Sequence, residues 1–374
     1  MVAESIFWLS AGLVAYTYAG YPALLFLLSA LFRRPIQRAP LEPSVSILIP
    51  AFNEEKVIEA KIRNALALDY PASKLEIVIA SDGSTDQTND LVARFTSSGR
   101  VRLLAFPANR GKTAALNDAV PTLRGEIVVL TDAASMLEPD ALRQLVACFA
   151  DPRVGAVSGL YRIRNSRASQ LGQQEDLYWK YETLLKRLES DLDSIIGAHG
   201  ALYAIRKELY PYPEPSVIND DYVIPVRILR RGYRVCYETR AVAWEEAHEM
   251  QGFSRRIRVM AGNFQQLREL PALIWPPRLL PVFFFLSHKM ARLLVPFALL
   301  SLFASSVLLS SQPVYQVTLI AQLAFYFAAL VAALLSNTPR LLRLPFYFVI
   351  INAAVLPGLY YALRGRRNMA WKRR

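Results

Sequence analysis

The chain has 374 residues, 53% of them hydrophobic, and a formal charge of +12. A mean hydropathy of +0.22 is too high for an ordinary soluble domain. The charge does not argue for nucleic acid, because much of the excess flanks apolar segments: Arg33, Arg34 and Arg38 follow the first, and Arg278, Lys289 and Arg292 precede or open the next.

Ile6 to Phe32 carries no charged side chain and exceeds the roughly 20 residues a spanning helix needs. A cleaved signal peptide is the alternative, but Glu4 is the only charge before Arg33, so a basic leader region is missing. Residues 1–35 are therefore predicted to be a transmembrane helix. Basic flanks collect on the cytoplasmic side, which places the N-terminus outside and the central residues in the cytoplasm. The prolines between Arg33 and Pro43 mark a linker.

From residue 44 to about 270, short β-branched runs alternate with helical stretches: 45–49, 75–79, 101–104 and 126–130 read as strands. Near-continuous apolar strands separated by helices predict an α/β domain with a mainly parallel sheet covered on both faces. Ligands of such sheets bind beyond the carboxyl ends of the strands.

Polar residues stand at those ends. Pro50, Asn53 and Glu54 follow the first strand, and Asn53 suits a helix N-cap with acids in the first turn. Asp82 and Ser84 follow the second, where a carboxylate beside Gly83 can accept from a ribose or form an ordinary turn. Gly111, Lys112 and Asn117 follow the third; a glycine turn with a lysine at a helix start suits a diphosphate, though the Walker spacing is absent. Asp132 ends the fourth and can hold a hard divalent cation. Farther on, Asp220 and Asp221 are candidates for acid–base work or for helix N-terminal acids. Cys148 and Cys236 lack a Cys-x-x-Cys spacing and read as structural thiols in a reducing compartment.

The succession Pro50-x-x-Asn53-Glu54, Asp82-Gly83-Ser84-x-Asp86, Gly111-Lys112 and Asp132-x-x resembles the GT-A (Rossmann-like) domain of membrane-bound family 2 glycosyltransferases. The similarity is to synthases of cellulose, chitin oligosaccharide, hyaluronan and poly-N-acetylglucosamine. It implies an inverting glycosyltransferase that uses a nucleotide-sugar, UDP-N-acetylglucosamine or UDP-glucose, with Mg2+ or Mn2+. By the same resemblance Asp221 is the general base, in the pair Asp220-Asp221, with Gly232-Tyr233-Arg234 following. The donor set is then Pro50, Asn53, Glu54, Asp82, Ser84, Lys112, Asn117, Asp132 and Arg255; His199 and Gly200 line the acceptor side.

Two departures stand out. The family's Asp-x-Asp is Asp132-Ala133-Ala134 here, so a metal needs other ligands beside Asp132, with His248 a candidate or simply a surface residue. The family's Gln-x-x-Arg-Trp is Arg255-Arg256-Ile257-Arg258-Val259, where only Arg258 matches, as a cation for the leaving pyrophosphate.

Leu177, Tyr181, Leu184, Leu188 and Leu192 form an amphipathic stripe, facing a core or, with Trp179, Lys180, Lys186 and Arg187 at its edge, a membrane interface. Residues 278–364 read as a membrane region of about three helices, near 290–310, 314–335 and 345–363, followed by a basic tail at 365–374. An odd number would put that tail outside, against the positive-inside rule.

The expected protein is a multi-pass one of the inner or plasma membrane, with its catalytic domain cytoplasmic. It would transfer sugar to a saccharide acceptor in polysaccharide synthesis. Its partners would be the donor, the acceptor and membrane lipids, with no nucleic acid. Transfer of one sugar to a lipid or polyprenol-linked acceptor is an alternative. A transporter fits poorly, since the spans hold few ionisable residues. Ala134 leaves room for an inactive nucleotide-binding scaffold.

Overall fold

The computed structural model describes residues 1–164, 170–246, 253–274, 278–335 and 340–364. The chain divides into two units, one of Leu31–Gln251 with Gln265–Val282, the other of Met1–Ala30, Gly252–Phe264 and Phe283–Gly365.

The first unit is built on an eight-stranded mixed sheet. Its strands are β1 (Val45–Ala51), β2 (Leu75–Asp82), β3 (Val101–Phe106), β4 (Ile127–Leu130), β5 (Met136–Leu137), β6 (Val154–Arg164), β7 (Tyr203–Arg206) and β8 (Arg234–Glu246). They lie in the order β3-β2-β1-β4-β7-β6-β8-β5. All seven residues of β1 are buried, as expected of a strand covered on both faces. Its parallel neighbours are β2 and β4, Val45 pairing with Leu75 on one side and Ile127 on the other. The chain thus reverses its direction of travel across the sheet between β1 and β4. A crevice opens at such a switch point, beyond the carboxyl ends.

The second half of the sheet runs differently. β7 is antiparallel to β4, with Leu130 opposite Tyr203, and antiparallel to β6, while β6 and β8 are parallel. Antiparallel pairing brings the segment before Tyr203 beside the segment after Leu130. That reversal places Gly200 next to Asp132.

The core combines Ile47, Ile49, Ile77, Ile79, Val129 and Val157 from the strands with Ile58, Ile62 and Ala65 from the helix Ile58–Leu66. Cys148 and Cys236 are buried and free, and burial pushes both thiols up to about 12, which keeps them inert.

Two local expectations are corrected. Asn53 does not cap a helix: its backbone is left-handed, with φ 56°, and the next helix begins at Ile58 behind Val57. In the helix Gln170–Leu192, Leu184 is exposed, whereas Leu185, Leu188 and Leu192 are buried, together with Lys186. Leu188 and Leu192 hold the expected inward positions; Leu184 gives way to Leu185, and Lys186 is turned inward to two backbone carbonyls described below.

In the second unit, Phe7 packs edge-on against Tyr315 at 4.7 Å between ring centres, beside Leu302. The helix Phe253–Gln265 lies against the helix Val355–Leu363: a Cβ on Gly358 would stand 2.6 Å from the Met260 Cβ. Among the described residues four helices are long and apolar enough to cross a bilayer, Val2–Phe32, Leu279–Leu308, Pro313–Leu334 and Leu344–Leu363. Trp8, Leu9, Leu300, Phe327 and Leu330 on them are exposed. Apolar surface in such continuous bands needs lipid or protein to cover it. The segments 336–339 and 365–374 lie outside the described residues.

Candidate active site

The site grows from strand ends that hold one another. After β1, the Asn53 amide donates to Ser84 Oγ at 3.1 Å, and Asn53 Oδ1 accepts from the Thr85 amide at 2.8 Å. The Glu54 amide donates to Thr88 Oγ1 at 2.9 Å. Asn tolerates the left-handed conformation this turn requires. The motifs after β1 and β2 therefore form one zipped unit.

Asp82, at the end of β2, is fully buried. Its carboxylate accepts from the backbone amides of Arg110, at 3.0 Å to Oδ1, and Gly111, at 2.7 Å to Oδ2. Gly83 next to it has φ 70°, and a Cβ there would stand 2.4 Å from the Asn109 amide nitrogen. Asp82 thus shapes the turn before Lys112. Gly111, with φ 98°, then turns the chain into the helix Lys112–Ala119.

Lys112 reaches the centre. Its Nζ lies 2.9 Å from Asp132 Oδ1 and 3.2 Å from Asp220 Oδ1. Burial works against the ammonium, but Asp132, Asp220 and Asp221 outweigh it and hold its pKa above the ordinary lysine value. Asn117, on the same helix, donates to the Pro213 carbonyl at 2.7 Å and accepts from the Tyr210 hydroxyl at 2.8 Å. Its side chain anchors the 210–213 segment, not the centre itself.

Asp220 and Asp221 open the helix Asp220–Arg230 behind the N-cap Asn219, where the helix dipole favours acids. Asp220 is buried and accepts from the Tyr203 hydroxyl at 3.1 Å. Asp221 is partly exposed, and its Oδ2 accepts from the Gly200 amide at 3.0 Å. Burial in the site and the neighbouring Asp220 push its carboxyl up to about 6, with Lys112 and Lys186 opposing. Lys186 donates to the carbonyls of Gly197 and Ala198 at 3.1 and 3.3 Å and so holds the loop that supplies Gly200.

Gly200 is where the parts converge. A Cβ there would stand 3.2 Å from Asp132 Oδ2, 3.5 Å from Asp221 Oδ2 and 3.6 Å from Lys112 Nζ. Two carboxylate oxygens and an ammonium face the space its missing side chain leaves. That donor chemistry suits a hard cation sharing Asp132 with ligand oxygens. Among the described residues no group of three or more His, Cys, Asp and Glu forms a ready metal cage. Of the two cation ligands expected from the sequence, Asp132 stands at this point.

His199 is buried beside this point, its ring 5.0 Å from that of Trp179 and 6.3 Å from that of Tyr161. Pro50 lies within β1. Arg258 belongs to the helix Phe253–Gln265 of the second unit. His248 and the Arg255 side chain lie outside the described residues.

Lys61 and Tyr203 are not among the residues expected from the sequence, and Lys186, expected at a membrane-facing edge, instead serves the site loop. The signal for Lys61 was legible: it occupies the apolar stripe Ile58, Ile62, Ala65, where a lysine is out of place. Tyr203 had no local signal, since aromatic residues are ordinary in strands.

A poly-beta-1,6-N-acetyl-D-glucosamine synthase of Staphylococcus aureus is 30% identical over 232 residues, which cover 60% of this chain and 55% of the synthase. That of Staphylococcus epidermidis is 28% identical over 230 residues, with the same coverage. This chain spans about half the length of those curated relatives. Among solved structures, the mannosyltransferase PcManGT from Pyrobaculum calidifontis, in complex with GDP-Man and Mn2+, is 25% identical. It aligns over 97% of this chain and 99% of its own, with a TM-score of 0.73. The mixed sheet is of the GT-A type. With residues 43–261 matching the model of glycosyltransferase-like family 2, the chain belongs to that family.

Proposed function

We propose that this protein is an inverting glycosyltransferase that moves a sugar from a nucleotide-sugar to a saccharide acceptor at the cytoplasmic face of a cell membrane, in polysaccharide synthesis. The observation that carries the reading is Asp221. It is a partly exposed carboxylate, oriented by Gly200 and raised to about 6, beside the Lys112–Asp132 pair.

Asp221 is suited to act as base. The acceptor oxygen attacks the anomeric carbon while its proton passes to Asp221. The bond from that carbon to the diphosphate breaks, and the nucleoside diphosphate leaves with the electron pair. A base near its operating pH serves this step well. Lys112 stabilises the charge that develops on the leaving diphosphate. Asp132 would hold Mg2+ or Mn2+ together with the diphosphate, and the cation would supply further charge neutralisation. The zipped turns at Asn53, Glu54 and Ser84, and the Asp82 turn, form the floor for the nucleoside. His199 and Gly200 border the acceptor.

The names of the staphylococcal relatives favour UDP-N-acetylglucosamine as donor. A GDP-sugar is a second candidate donor, from the near full-length likeness to a mannosyltransferase in complex with GDP-Man. Transfer of one sugar to a lipid acceptor is a second reading of the product, favoured by Val259, exposed where the resemblance puts a Trp. Arg33, Arg34 and Arg38 beside the first apolar helix support the cytoplasmic placement.

The test is nucleotide release by the full-length protein in nanodiscs, with Mg2+ or Mn2+ and UDP-N-acetylglucosamine, UDP-glucose or GDP-mannose, beside Asp221→Asn. Release from one donor that disappears in the variant supports the transferase, and product size separates polymer from single transfer. Equal silence in both proteins across donors, with lipid and saccharide acceptors supplied, would favour an inactive scaffold.

A further inference from the structure

We infer that Lys61 is a positioning residue for the donor half of this site: its buried ammonium clamps the loop that carries Asp132. The inference rests on the transferase reading above.

Lys61 is fully buried in the middle of the helix Ile58–Leu66. Its Nζ donates to Thr131 Oγ1 at 2.8 Å and to the Ser135 carbonyl oxygen. Those two residues bracket Asp132-Ala133-Ala134, whose alanines offer no polar side chain to anchor the loop. The clamp continues in both directions. Thr131 Oγ1 donates to the Ala201 carbonyl at 2.7 Å, beside Gly200. Ser135 Oγ donates to Glu245 Oε1 at 2.6 Å, and Glu245 Oε2 accepts from the Tyr161 hydroxyl at 3.3 Å. Asn64, one turn along the same helix, exchanges two hydrogen bonds with Leu137, at 2.9 and 2.8 Å. One helix therefore pins the 131–137 segment at three residues.

A buried ammonium is costly to keep. Burial pulls the Lys61 pKa down to about 7, against the pull of Asp132 and Glu245. An apolar side chain of similar volume there would spare the desolvation of the ammonium and cost the Ser135 carbonyl this donor, two effects of opposite sign on stability. A lysine retained on an apolar stripe, pointed at the loop under Asp132, is therefore explained by what it orients more than by what it stabilises.

This separates the inference from a merely structural role, which predicts lost stability and unchanged ligand affinity. The experiment measures binding of UDP and of GDP, each with Mn2+, to the full-length protein by calorimetry, with melting temperature alongside. Wild type, Lys61→Met, Thr131→Val and Asp132→Asn are compared. The expected result is that Lys61→Met melts within a few degrees of wild type and binds the Mn2+–nucleotide at least about 10-fold more weakly. Thr131→Val, which removes one of the two anchors, loses about 3-fold. Should Lys61→Met fail to fold, Thr131→Val decides by the same measure.

Wild-type affinity in both variants, with Asp132→Asn weakened, overturns the role of Lys61 and leaves the site reading standing. If Asp132→Asn itself binds like wild type, the donor site is elsewhere, and this inference falls with that reading.

Discussion

The Gly200 amide donates to Asp221 Oδ2 at 3.0 Å. With the bond from the Ala198 amide to the Asp221 carbonyl at 2.7 Å, it joins the loop entering β7 to the first turn of the helix that bears the proposed base, and it leaves the bare side of Gly200 facing Asp132. A methyl group there would stand 3.2 Å from Asp132 Oδ2, so one of the two must shift. Gly200→Ala should keep its fold and melt within a few degrees of wild type. Its kcat/KM should fall about 10- to 100-fold, the usual cost of a small misplacement at a reacting centre. Nucleotide-release kinetics beside a melting curve check this.

Asp221→Asn should lose about 10²- to 10⁴-fold in kcat, the range for removing a positioned base. It should also be the more stable protein at high pH. The folded-state pKa, about 6, lies above the unfolded value, so the folded protein holds this proton more tightly. Ionising Asp221 then costs stability: nothing below about pH 4, an increasing amount up to pH 6, and the full cost above it. The variant should melt higher than wild type at pH 8, and the gap should close at pH 4.

The same group sets the acid limb of activity. With the base protonated below its pKa, kcat/KM should decline about tenfold per pH unit below about pH 6. A pH profile of nucleotide release locates the break. The residual activity of Asp221→Asn should lack that limb.

Lys112→Met removes the cation between Asp132 and Asp220 and leaves like charges facing one another. Activity should fall by about 10²-fold or more. Stability should fall by about 3 kcal/mol, the low end for breaking a buried pair, because 21% of the lysine side chain remains exposed. Denaturant titration and kinetics measure the two effects separately.

Gly83→Ala probes the scaffold. A left-handed φ of 70° and a Cβ placed 2.4 Å from the Asn109 nitrogen should together cost about 2 kcal/mol or more. The melting temperature should drop at every pH, without the pH-dependent gap expected of Asp221→Asn.

The first four strands were legible from their apolar runs, and so were the acids at their ends, because strand content and the residue that follows a strand are local facts. What those polar residues touch was less legible. Asn53 read as a helix cap but ties β1 to the turn after β2. Lys186 read as an edge cation but holds the Gly197 and Ala198 carbonyls. In each case a partner from another element won over the local preference.

The sequence by itself determined the first four strands, the apolar stretches at the two ends of the chain and the chemical kinds of side chain available at those strand ends, since these follow from adjacency along the chain. Only the tertiary structure decided that Asp132, Asp221 and Lys112 meet at Gly200, with Lys61 holding Thr131 and Ser135 on either side of the Asp132 loop. β7 runs antiparallel to β4, so residues far apart in sequence are brought side by side at one end of the sheet. Direction and pairing of that kind are set by how the whole sheet closes its core, which no short stretch of residues encodes.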